Sequence, residues 1–408
     1  MRRVVTAAVV CLALFATAAC SSPAKWLNPG ETAPANGADP PKIGITGIKD
    51  GATDVPTSTE ISYTISGGTG AAVSLADDAG TTIAGAARAD GSSWIPAVQL
   101  DYAKKYTVTV TASKSDGTKG EAKATFTTMA QPADLVDIHS WIGDNQVVGI
   151  GTPVVVTFGL DVPEAKRADI QKRLFAQSNP VQEGIWNWIN PHEVHFRPRE
   201  YWKPGTTIDV RLATGGVAWG VKQWYGKQDI SIKATVGADQ RISVDNNTKK
   251  MTVTRDGQVV LTVPVSLGKP TAPSSSGNMV IISRAEWEWF DSSTYGVPVT
   301  DPAGYRTKVQ WPLRLTWDGQ YIHAAPWSVS DQGKRNVSHG CVNIPTDQAH
   351  WLYDFVKVGG PVTVSNTETH VPWGNGWTDW DRPWAEFVKG SAIPYQPTPS
   401  SSPSGLGG

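Results

Sequence analysis

Cysteine is scarce. The 408 residues hold three, Cys11, Cys20 and Cys341, which leaves little room for a disulfide framework. An excess of charge of either sign is missing too. The 37 acidic and 36 basic residues nearly cancel, so nothing marks nucleic acid as a partner. Long runs of helix-period pattern are rare, while glycine, proline, threonine, serine and valine are plentiful. That composition leans towards β structure. A hydrophobic share of 40% with 18% charged residues suits folded domains, and the length allows two to four of them.

No charged residue interrupts Val4 to Ala19, but the run is short for a membrane span. Preceded by Met1-Arg2-Arg3, residues 1–19 have the layout of a secretory signal. The stretch Thr17-Ala18-Ala19-Cys20 resembles a bacterial lipoprotein signal, although Thr17 stands where leucine is usual. In that reading Cys20 is lipidated and anchors the protein to the outer face of the cytoplasmic membrane. The other reading is an ordinary signal cut after Ala19. Both imply export. Cys11 leaves with the signal and Cys20 is acylated, so Cys341 is the one free thiol. A Cys20–Cys341 bond stays open only without lipidation.

Residues 20–41, rich in proline, alanine and glycine, read as a flexible tether. Residues 42–130 alternate in short runs such as "STEISYTIS" and "KYTVTVTAS" and predict an immunoglobulin-like sandwich. Residues 131–236 form a second such unit, with a helical period over 163–177 opened by Pro163. Its tryptophans, Trp186, Trp188, Trp202, Trp219 and Trp224, read as core and interface packing, with a sugar platform as the alternative. His192 and His195 lack further ligands at metal spacing and read as structural. Residues 237–366 are the third unit. Two or three strands open it, and a hairpin around Asp318-Gly319 ends at His323. A helix begins at Pro345-Thr346 with an apolar face of Trp351, Leu352 and Phe355, and "GGPVTVSNT" closes the unit. Between 270 and 312 lies a long connection of the kind that carries function. Residues 367–391, with Trp373, Trp377, Trp380 and Trp384, should dock on what precedes them. Residues 392–408 have nothing to bury and read as a disordered tail.

The chemistry gathers at "NVSHGCVNIP", residues 336–345. A cysteine nucleophile acts as the thiolate and needs a base or a positive field beside it. His339 is two residues away and shares a face with Cys341 if the chain is extended there. His323, eighteen residues earlier, would reach it through the fold. Spacing alone does not choose between them. One cysteine and two histidines could hold zinc, but no pair has a zinc-finger spacing, and the reading includes no metal and no cofactor.

The run "YIHAAPWSVSDQGKRNVSHGCVN" resembles the signature of the L,D-transpeptidases: a histidine, a spacer, then Ser/Thr-His-Gly-Cys-x-Asn. His323, Ser338, His339, Gly340, Cys341 and Asn343 fill those positions. The stretches "DSSTYGVPV", "GYRTKVQWPLRL" and "WLYDF" are similar to the mycobacterial members. The resemblance implies a mainly β chain: two immunoglobulin-like domains, then a β-sandwich-like catalytic domain with a short helix and a tryptophan-bearing C-terminal segment. It implies Cys341 as nucleophile and His323 as base, the latter oriented by the carbonyl of Ala324. The N–H groups of Gly340 and Cys341 and the hydroxyl of Tyr305 would stabilise the oxyanion. His339, Ser338 and Asn343 would shape the pocket and bind substrate. Trp327, Tyr321, Tyr295 and Phe290 would line a channel under a lid of about residues 285–312.

By the same resemblance the partners are peptidoglycan stem peptides, and carbapenems acylate the cysteine. A tetrapeptide stem would donate its third residue, meso-diaminopimelate, to Cys341 with release of D-Ala. The amine of a neighbouring diaminopimelate would complete a 3→3 cross-link. Water as acceptor would give an L,D-carboxypeptidase, and a protein lysine an anchoring enzyme. A wall-binding protein that has lost activity is the alternative of another class.

Overall fold

Thirty-one strands and a few short helices make the chain mainly β, in the computed structural model that describes residues 39–88, 91, 93–301 and 304–396, with the side chains of Thr294 and Tyr295 outside it. The signal, the candidate lipid site at Cys20 and most of the tether lie outside the described residues, as does the tail beyond residue 396.

Alternation of apolar and polar residues does most of the building in the first two units. Lys105–Ser113 buries Tyr106, Val108, Val110 and Ala112 and turns the residues between them outward. It pairs with Lys119–Thr128 and Thr69–Asp77 in one sheet, and Ile61–Ser66 lies in the facing one. Leu75, Val108, Val110 and Phe126 fill the space between. The second sandwich joins the sheet of Ile138–Ser140, Val154–Phe158, Glu193–Pro198 and Gly184–Asn190 to one built on Ile230–Val236, Thr207–Leu212 and Leu174–Asn179. Trp186, Trp188, Trp202 and Trp219 are buried in its core, and packing is what they do. The two units meet over Glu60, which takes Arg88 at 2.6 Å and Arg173 at 3.4 Å.

The helix expected over 163–177 is shorter, Glu164–Gln171. Leu174–Asn179 is instead a strand along Thr207–Leu212. Ladder hydrogen bonds and the burial of Leu174 against the sheet outweigh a local helical period.

The third unit, expected to be catalytic, is two sheets around one core. Six strands run in the order Gln258–Pro264, Lys250–Arg255, Gln240–Asp245, Pro361–Ser365, Ser275–Val280 and Thr369–His370. One expectation changes here: Ser275–Val280, inside the supposed connection of 270–312, is an inner strand of this sheet. Pro361–Ser365 is the expected closing strand, and it lies in the middle of the sheet, parallel to Gln240–Asp245. The second sheet sets Ser283–Arg284, Leu313–Arg314, Tyr321–Ala324 and Val342–Ile344 side by side. Helix Thr346–Phe355 buries Ala349 and Leu352, whereas Trp351 is exposed and stacks on Phe355. The lid is itself a hairpin, Trp287–Asp291 paired with Arg306–Gln310.

The C-terminal segment lies on both the second unit and the catalytic unit. Trp377 joins Val155, Val280 and Ile282 in a small core where the two meet. Backbone touches backbone nearby: Gly149 N–H donates to the Val358 carbonyl at 2.7 Å, and a Cβ on Gly149 would sit 2.3 Å from the Gly360 nitrogen. Asp379 and Asp381 face opposite ways. Asp379, fully buried, takes His195 Nδ1 at 2.9 Å, while Asp381 accepts the Asn278 N–H of the catalytic sheet at 2.8 Å and His370 at 2.6 Å. Glu193 holds the other nitrogen of His195 at 2.8 Å. Burial alone would lower the pKa of His195, but these two carboxylates overcome it and raise it from 6.5 to about 9. His195 is thus a buried cation.

Removing Asp379 strands that cation, and Asp379→Ala should cost about 3–5 kcal/mol in urea unfolding. The raised pKa also sets a pH window. The contribution of His195 should be complete below about 6.5 and fade as pH rises through about 9, a loss visible in melting curves of the intact protein and absent from His195→Gln.

Candidate active site

Parallel strands need a crossover of a dozen or more residues. Tyr321–Ala324 and Val342–Ile344 are such a pair, with His323 beside Asn343 and Ile322 beside Val342. The spacer between the histidine and the cysteine is this crossover. It delivers Cys341 to the start of one strand while His323 sits inside the other, and both line one cavity of about 390 Å³.

His323 is 4% exposed, and its Nδ1 lies 2.9 Å from the Ala324 carbonyl. A carbonyl only accepts, so Nδ1 carries the proton and Nε2 is the basic atom. The edge-on ring of Phe290, 5.2 Å away, covers it. Burial pulls the imidazole pKa down to about 4, against a small opposing effect of the Ala324 contact. Cys341 is 9% exposed, with Sγ 3.7 Å from the Gly319 carbonyl. Burial pushes its thiol up to about 12. Base and thiol are both neutral at rest.

His339 differs. It is exposed, and its Nε2 is 2.8 Å from the Lys269 ammonium. Lysine donates, so that nitrogen accepts and its lone pair is occupied. Partial burial and Lys269 lower its pKa. Both histidines line the cavity with Cys341, but His339 is engaged through Nε2 by Lys269, whereas His323 is tied through Nδ1.

The loop before Cys341 is sewn onto residues 266–269. Ser338 N–H donates to Leu267, Lys269 N–H to Ser338, and Asn343 and Ser266 exchange both backbone bonds. Ser338 Oγ donates to the Cys341 carbonyl at 2.6 Å and accepts the Gly340 N–H at 3.1 Å. Its hydroxyl thus shapes the loop from within. The Gly340 amide, expected to face an oxyanion, is turned onto that hydroxyl. Gly340 has φ +120°, a conformation that side chains other than glycine's rarely adopt.

Among the other expected residues, Phe290, Tyr305 and Asn343 line the cavity, and Trp327, 58% exposed, stands at its mouth. Asn343 donates to Ser328 Oγ at 3.1 Å, while its buried Oδ1 has no partner. Tyr321 departs from expectation. It is buried beneath Phe290, at 4.5 Å, and its hydroxyl donates to Glu288 at 3.1 Å, so it supports the lid. Tyr295 belongs to the turn Ser292–Tyr295 at the lid tip, and its side chain is outside the described residues. Among the described residues no cluster of three His, Cys, Asp or Glu could hold a metal.

Two supports escape sequence reasoning. Ser274 Oγ accepts from Gly268 N–H at 2.9 Å and donates to the Gly340 carbonyl at 2.7 Å. Gln320 clamps Ser275 through its backbone N–H and its hydroxyl, both at 2.9 Å. Three serines in a row, 274–276, leading into the strand Ser275–Val280, are the only local trace of this.

Residues 239–364 match the L,D-transpeptidase catalytic domain, and residues 52–218 match a bacterial Ig domain. L,D-transpeptidase 2 of Mycobacterium tuberculosis is 38% identical over 353 residues, spanning 86% of this chain and 85% of the relative. The chain belongs to the L,D-transpeptidase family. L,D-transpeptidase 5 of the same species is 31% identical, over 85% of this chain and 76% of its own length. Among solved structures, an LD transpeptidase in complex with imipenem is similar at 32% identity and TM-score 0.49, over 57% of this chain and all of that one. The cavity described above thus lies in the matched catalytic domain of an L,D-transpeptidase.

Ser274→Ala would leave the Gly268 N–H and the Gly340 carbonyl unpaired in a buried place. A loss of about 1–3 kcal/mol in urea unfolding is expected, with slower reaction at the thiol measured by intact-protein mass.

Proposed function

We propose that Cys341 is the nucleophile of this L,D-transpeptidase and His323 its base. The observation that carries this is the tautomer of His323. Its Nδ1–H is tied to Ala324 while Cys341 shares its cavity, which leaves Nε2 for the thiol proton.

The substrate is a peptidoglycan tetrapeptide stem. His323 Nε2 takes the Cys341 proton as Sγ attacks the carbonyl of the third residue, meso-diaminopimelate. The Cys341 N–H and the Tyr305 hydroxyl stabilise the oxyanion. The bond to the terminal D-Ala breaks, and the imidazolium returns its proton to the leaving amine. In the second half the side-chain amine of a neighbouring diaminopimelate attacks the thioester, His323 accepts its proton, and the C–S bond breaks. The product is a 3→3 cross-link, and the thiol is restored. A relative is known in complex with imipenem, and carbapenems would acylate Cys341 by the first half of the same route. The signal reading places the enzyme outside the cytoplasmic membrane, anchored at Cys20, with the two immunoglobulin-like units spacing the catalytic domain from the membrane to the wall.

The neutral resting pair shapes the chemistry. Proton transfer accompanies attack, because neither ion exists beforehand. Since His323 is depressed to about 4, it is a competent base at every pH above that. Acylation by imipenem should stay level from about pH 5 to 8 and fall only as pH drops towards 4. A rise near pH 8.5, where an ordinary thiol ionises, would contradict the neutral pair.

Cys341→Ala should take up no imipenem by intact mass. His323→Ala should acylate about 10²–10⁴-fold more slowly, the span of a lost general base, and His339→Ala should lose far less. With disaccharide-tetrapeptide, a dimer lacking one D-Ala is the expected product, and tripeptide alone would instead mark a carboxypeptidase. Deleting residues 42–130 should leave acylation in solution intact.

A further inference from the structure

The lid hairpin has two faces. Phe290, Thr307 and Val309 point into the cavity. Strand alternation puts Trp287 and Trp289 on the other face, each 49% exposed. Across the ladder Trp289 faces Lys308 and Asp291 faces Arg306. Each cation leans diagonally by one pair: the Lys308 ammonium is 4.1 Å over the Trp287 ring, and the Arg306 guanidinium 5.0 Å over Trp289. Both indoles are thereby held in place by a cation on one side and remain open to water on the other. They sit about 7 Å apart along the strand, two residues at the usual rise.

We infer that this outward face binds the glycan strand of peptidoglycan. The axial C–H bonds of a pyranose ring are weakly positive and lie flat on an indole, while its hydroxyls stay solvated at the edge. Two fixed indoles in line suit neighbouring sugar rings of a polymer. Lys308 and Arg306 border the track and suit the carboxylates of stems that hang from it. The face is continuous with the site, because the strands that carry it also wall the cavity. A stem bound beneath the hairpin is covalently joined to a glycan that must pass close outside. The inference rests on the proposed function for its choice of polymer. A hairpin of two strands is marginal alone, and the stacked cations also help it hold its shape, so the test must separate binding from support.

Trp287→Thr/Trp289→Thr keeps β-forming residues and removes the rings, and Trp287→Tyr/Trp289→Tyr keeps an aromatic face. Titration calorimetry of the full chain with stem-free glycan strands should show binding that the threonine variant loses and the tyrosine variant largely retains. In turnover, the preference of the unaltered enzyme for disaccharide-tetrapeptide over free tetrapeptide should fall about tenfold in the threonine variant, through KM, roughly one stacking contact's worth. Acylation by imipenem should stay within about twofold, since the rings face away from the thiol. Unchanged glycan binding and unchanged donor preference would overturn the inference. So would loss of binding to phosphatidylglycerol vesicles in place of glycan, because tryptophan beside lysine and arginine also suits a lipid interface. If Cys341→Ala still accepted imipenem, the nucleophile assignment would fall, while calorimetry would still decide the face.

Discussion

Two short parallel strands hold the chemistry. Tyr321–Ala324 and Val342–Ile344 share only three paired positions, yet that register sets His323 beside Asn343, two residues past Cys341. Shifting it by one residue would turn His323 to the opposite face of the sheet. Much of what surrounds the pair serves to pin it. Ser266, Leu267 and Lys269 sew down the crossover from one side, Ser274 and Gln320 brace its glycine turn, and Gln332 closes the bend after His323 through the Ala325 carbonyl.

Burial has a second consequence. Among the described residues the cavity walls carry no carboxylate or ammonium, and burial keeps His323 and Cys341 uncharged. Charges act from behind the walls: Lys269 lies on His339, Glu288 behind Tyr321, and Asp318 adds to the rise of the Cys341 thiol. A buried, neutral site of this kind makes each amide or hydroxyl donor count for more against a developing oxyanion.

Much of this was legible in the sequence, and the limits are physical. Alternation announced the sandwiches because one face of each sheet is buried. The cysteine motif is legible because its residues adjoin in sequence. Local reading went wrong where a distant partner decided. Residues 174–177 end a helical period but belong to Leu174–Asn179, which finds a strand to pair with. Ser275–Val280 is rich in serine and glycine, yet it is an inner strand because Pro361–Ser365 arrives beside it. The resemblance puts Tyr321 in the channel, but its burial under Phe290 depends on the lid being a hairpin, a pairing that no local stretch carries. His195 read correctly as structural, but its charge could not be read, since Asp379 lies 184 residues away.

That separation has a bearing on how the molecule is made. The second immunoglobulin-like unit emerges long before the segment that completes it, and domains fold in order of synthesis. Until Asp379 arrives, His195 has only Glu193 beside it. The buried ion pair at the seam between the second unit and the catalytic domain is therefore completed only once residue 379 is present. A product truncated before it would keep the backbone contacts of Gly149 and Gly151 with Val358 and Gly359. It would lack Trp377 in the shared core and the carboxylate that balances His195.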